Sequence, residues 1–141
     1  MTKSILVPVD LNHESSWAKV LPKAVELARL DGASLHVLSV IPDFGKSIVG
    51  SYFPSDFSEK AEESTRAELQ ALVAREVPGD VRADCDVVHG SIYKKILEAA
   101  DRLNCDLIVL ASHRSDMQDY LIGPNSAKVV RHARQSVYVV R

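Results

Sequence analysis

With 141 residues, the chain is long enough for one domain with one sizeable core. A composition of 46% hydrophobic and 26% charged residues excludes a disordered or low-complexity chain. The formal charge of −2 argues against a generic nucleic-acid binder, which normally carries a basic surplus.

The local exception, Lys128, Arg131, His132 and Arg134, reads first as the solvated face of a helix. Cys85 and Cys105 make neither a disulfide framework nor a metal-ligand spacing, and both read as small side chains in apolar stretches. The opening MTKSILVPVD is too short in its apolar run for a secretory leader, and no run reaches the roughly eighteen residues of a membrane span. The expectation is a single domain over residues 1–141, located in the cytoplasm.

Apolar, β-branched runs recur at Ser4–Val9, Ser34–Val40, Val81–Val88, Leu107–Ala111 and Val137–Val140. The first, fourth and fifth lack strict alternation, as expected of strands covered on both faces. Helical periodicity lies between them. Trp17, Val20, Leu21, Ala24, Val25 and Ala28 form one stripe, with Ser15 or Ser16 as the expected cap and Gly32 just past the end. Pro22 falls inside that pattern and is expected to kink it. Ile41–Phe57 is the one long irregular segment, readable as a lid or as a surface excursion. A second helix spans Ser58 to Val77, with Phe57, Ala61, Leu69, Leu72 and Val73 on its apolar side. A third follows the N-cap Ser91 and buries Ile92, Ile96, Leu97, Ala100 and Leu103. A fourth runs from Asn125 to about Ala133. Regular β-α alternation means parallel strands joined by right-handed crossovers, hence an α/β, doubly wound, Rossmann-like sheet with helices on both faces.

In such sheets ligands bind beyond the carboxyl ends of the strands, where the winding direction reverses. That filter makes Asp10 and Ser112-His113-Arg114 the polar groups to explain. Asp10 can accept from a base or ribose, bind a metal, or shape the turn together with Asn12. The segment after Ala111 is richer. Arg114 is suited to grip a phosphate through two parallel hydrogen bonds, and the helix opening at Gly123-Pro124-Asn125-Ser126 offers backbone N–H groups and a favourable dipole to an anion. Capping by Asn125 or Ser126 is the competing reading of that stretch. Walker, dinucleotide and nucleophile-elbow motifs are absent, and the paired acids of a phosphoacceptor receiver are missing after the first strand.

ILVPVD near the start, VHGSIYKKI in the middle and LIVLASHR with YLIGPNSAKVVRHARQSVYVVR at the end resemble the universal stress protein family. The resemblance runs along the whole chain and is most specific in its last third. It implies a five-stranded parallel sheet in the order 3-2-1-4-5 and a homodimer through the last strand. It also implies a stress-responsive regulatory protein that binds an adenine nucleotide, ATP or AMP, with or without Mg, with little or no hydrolysis. Adenine and ribose contacts are then expected from Pro8, Val9 and Asp10 and from Val40. The family's phosphate motif, G-x2-G-x9-G-S/T, falls on Ala111, Arg114, Gly123 and Pro124 with a spacer one residue short. Only one motif glycine is kept, and the middle motif has Ile92 where the family often has Pro. The phosphate half is therefore expected to be rebuilt from Arg114, Asn125 and Ser126, with Ser112 and His113 nearby. Two other readings stand beside nucleotide binding. One is a slow hydrolase using His113 and Arg114; the other is a nucleotide-independent dimeric module, paired through the SVYVVR edge.

Overall fold

A computed structural model of the chain describes residues 1–42, 57–112 and 123–141, the side chains of 57–58 and 123–124 apart. Its elements are β1 (Ser4–Val9), α1 (Val20–Asp31), β2 (Ser34–Ile41), α2 (Phe57–Glu76), β3 (Ala83–His89), α3 (Ile92–Arg102), β4 (Leu107–Ala111), α4 (Gly123–His132) and β5 (Ser136–Val140). A single 3-10 turn, Glu14–Ser16, follows β1. The five strands form one sheet in the order β3-β2-β1-β4-β5, and every pairing is parallel. The doubly wound fold is as the sequence and the resemblance imply.

The run SILVPV is buried at every position, because helices cover both faces of the central strand. On one face Ile5, Val7 and Val9 pack with Val20, Leu21, Ala24 and Val25 of α1 and with Leu69 and Leu72 of α2. On the other, Leu6, Leu38 and Ile108 pack with Ile92, Ile96 and Ala100 of α3 and with Val129 of α4. Each fully buried Leu or Ile contributes about 1.5–3 kcal/mol of apolar transfer free energy, so both layers are needed to hold the sheet. Cys105 is buried and Cys85 half-buried, and burial pushes both thiols above their ordinary pKa.

Four expectations are corrected. The first helix does not start at Ser15 or Ser16: α1 begins at Val20, with Lys19 at its N-cap, because Ser16 turns its hydroxyl back toward the end of β1. Pro22 therefore lies in the first helical turn, where its missing N–H costs little, and it marks a beginning instead of a kink. The fourth helix begins at Gly123, two residues before the expected Asn125, so Asn125 and Ser126 lie inside the helix and not at its cap. Finally, β5 is exposed or half-buried along its length and not covered on both faces as its apolar run suggests, since it is the sheet's edge, as the order 3-2-1-4-5 implies. Gly32 ends α1 as expected, with φ at 67° and its N–H bonded to Ala28, a conformation that favours glycine. Ser91 holds the N-cap position of α3 through its extended backbone, without a side-chain bond.

Candidate functional site

The chain winds from β1 outward through β2 to β3, then crosses back to β4 on the far side of β1. The reversal point is thus the gap between β1 and β4. Six residue pairs join β1 to β2, from Ser4↔Ser34 to Val9↔Ser39. Among the described residues, only Ile5↔Leu107 and Leu6↔Ile108 join β1 to β4. The ladder therefore lapses toward the carboxyl ends, where a crevice for a ligand is expected.

On the β4 side, Ser126 fixes the position of a helix. Its buried hydroxyl donates to the Ala111 carbonyl at 2.7 Å, so the N-terminal turns of α4 sit at the carboxyl end of β4. Helix N-termini favour negative charge through their main-chain N–H groups and their dipole. Asn125, half-buried, lies in the same turn, and Gly123 begins the helix. Ala111 is buried, and half-buried Ser112 donates its N–H to the Val140 carbonyl at 2.9 Å, which extends the β4–β5 pairing by one bond. His113 and Arg114 lie outside the described residues.

On the β1 side, Asp10 organises a tight polar turn. The residue is 3% exposed. Its Oδ1 accepts the Asn12 N–H at 3.0 Å, and its Oδ2 lies 2.7 Å from His13 Nδ1. Beneath them, fully buried Ser16 accepts the Asp10 N–H at 2.8 Å. The Ser16 hydroxyl hydrogen is shared between the carbonyls of Asp10, at 2.9 Å, and His13, at 2.8 Å. Asp10 and Asn12 thus form a turn, as the turn-forming reading has it. His13 carries no periodicity or motif in the sequence, and Ser16 reads there only as a helix cap. The signal that could have found them is a histidine three residues after a strand-ending acid, within reach of it across one turn.

Pro8, Val9 and Val40 sit at the same edge, but their side chains belong to the core. Val9 is aligned with Ser39 and Val40 with Val88. At the end of β3, His89 Nε2 is buried without a hydrogen bond, 3.6 Å from Glu62 Oε2. Among the described residues no group of three or more His, Cys, Asp or Glu side chains is placed to hold a metal ion, and no helix is long and apolar enough to cross a membrane. The basic cluster at the end of α4 is divided: Arg134 pairs with Asp101 at 3.0 Å, whereas Lys128 and His132 pack on Tyr93.

The profile of the universal stress protein family matches residues 1–141. Universal stress protein G of Shigella flexneri is 31% identical over 144 residues, covering 100% of both chains. Among solved structures, hypothetical protein MJ0577 aligns with a TM-score of 0.79 at 20% identity, covering 99% of this chain and 96% of that one, and so shows the same fold. A universal stress protein from Archaeoglobus fulgidus, solved in complex with dAMP, aligns at TM-score 0.66 and 17% identity, covering 100% and 98% of the two chains. Another, solved in complex with cAMP, aligns at 0.60 and 20%, covering 99% and 97%. With a full-length profile match and a relative above 30% identity over its whole length, the chain belongs to the universal stress protein family.

Proposed function

We propose that this chain binds an adenine nucleotide across the carboxyl edge of its sheet, in the opening between β1 and β4, and acts as a regulator whose signal is occupancy and not turnover. The observation that carries this reading is the β1–β4 ladder, which stops at Leu6 and Ile108 where the winding reverses. The two flanks of that opening suit the two ends of a nucleotide. The α4 N-terminus, tied to Ala111 through Ser126, favours a phosphate. The polar turn of Asp10, Asn12 and His13 offers hydrogen-bonding groups to a nucleoside. Family members solved with cAMP and dAMP lend this assignment support.

Binding is favoured over hydrolysis by the state of Asp10. Phosphoryl transfer needs groups that orient a water and meet the developing charge. The carboxylate at the end of β1 is instead engaged by Asn12 and His13 in its own turn. A homodimer through β5 belongs to the same proposal. The strand is a sheet edge with Tyr138 39% exposed, and an unpaired edge is a template for a second copy. Calorimetric titration with AMP and ATP, run beside a phosphate-release assay, tests the reading. Saturable binding with release at background supports it; release that scales with enzyme concentration replaces it with a hydrolase.

A further inference from the structure

Asp10, the acid that the sequence offers to a nucleoside, is buried and already bonded on both oxygens, to the Asn12 N–H and to His13 Nδ1. This arrangement fixes the imidazole more than it frees the carboxylate. In its neutral form, a histidine whose one ring nitrogen faces a carboxylate has its tautomer set, with the proton on Nδ1 and the lone pair on Nε2. The His13 side chain is 34% exposed, and its Nε2 is neither bonded to a described residue nor closed off from solvent. The turn that carries it is pinned from below by Ser16, and the adjoining 3-10 turn Glu14–Ser16 packs against β4, so His13 lies at the carboxyl edge of the β1–β4 pair.

We infer that His13, and not Asp10, is the side chain by which the end of β1 contacts the nucleoside. Its Nε2 accepts a hydrogen bond from a nucleoside donor, either a ribose hydroxyl or the exocyclic amine. Asp10 acts through His13, as the positioning residue that keeps the lone pair outward. The inference rests on the nucleotide reading above and adds the identity and polarity of one contact.

The test is calorimetric titration of the intact protein with AMP, comparing the parent with His13→Asn and His13→Phe, with melting temperatures recorded for each. Asparagine keeps a donor at the position of Nδ1, able to hold Asp10, but has nothing at Nε2. Both variants should therefore lose affinity alike, by roughly tenfold, as for one hydrogen bond. The parent is also titrated with 2′-deoxy-AMP, 3′-deoxy-AMP and inosine monophosphate. One of these three lacks the contacting donor, and against that ligand the His13→Asn variant should bind as well as the parent. Unchanged AMP affinity in His13→Asn would overturn the contact and leave His13 a mere support for Asp10. An equal loss against all three altered ligands would overturn it as well. A parent protein that binds no AMP removes the nucleotide reading itself, a result distinct from either.

Discussion

The Ser126 hydroxyl donates to the Ala111 carbonyl across 2.7 Å, joining the first turns of α4 to the last residue of β4. The bond is buried, and it sets where the helix N-terminus meets the sheet edge. Ser126→Ala removes the donor and should cost about 1–2 kcal/mol. The expected result is a lower urea midpoint with an unchanged slope, together with weaker AMP binding at similar adenosine binding. An unaltered midpoint would show that the helix is held by its apolar face alone.

Ser16 plays the matching part below β1. It is fully buried, and it is the acceptor for the Asp10 N–H. Ser16→Ala leaves that donor without its acceptor, at a cost of about 1–3 kcal/mol. Ser15→Ala, at a half-buried neighbour, should stay within about 0.5 kcal/mol of the parent. Thermal or urea unfolding of both variants checks the contrast, and equal effects would contradict the buried-knot account.

Acid should loosen the junction between α3 and the turn that precedes β5. Hydrogen bonds from Gln135 and Arg134 hold the exposed Asp101 carboxyl below its ordinary pKa of 3.8. The folded-state value is the lower one, so this carboxylate adds stability above pH 3.8, and the contribution fades as pH falls through the folded-state value. The stability difference between the parent and Asp101→Asn should therefore narrow between neutral pH and pH values below 3.8. A difference that stays constant across that range would mean Asp101 contributes through something other than its charge.

The parts of the fold legible in the sequence are those governed by continuous burial. The limits of β1 and β4 agree with their apolar runs, because strands covered on both faces are apolar along almost their whole length. Limits set by tertiary hydrogen bonds were harder to read. The stripe from Trp17 to Ala28 suggested a helix from Ser15 or Ser16, yet Ser16 bonds backward to Asp10 and His13, and α1 waits until Val20. The pattern of β5 resembles that of a covered strand, but its place at the edge depends on strand order, which local spacing does not carry.

The site divides in the same way. Asp10, Ser112, Asn125 and Ser126 are legible as polar or helix-opening positions after strand ends and Ala111 as the end of β4, and the structure gathers them at one edge. Pro8, Val9 and Val40 come from the family resemblance, and the structure buries all three at the same edge. His13 has no signal in the sequence, because its significance lies in a 2.7 Å contact that no periodicity announces.

The most direct test of the account is the melting temperature of the protein with and without millimolar AMP. A ligand at about a hundredfold excess over its Kd stabilises the folded state by about 2.7 kcal/mol. For a domain of this size the account predicts a rise on the order of 5 °C or more. A midpoint that does not move with AMP, ADP or ATP at that concentration would contradict nucleotide binding at the β1–β4 edge.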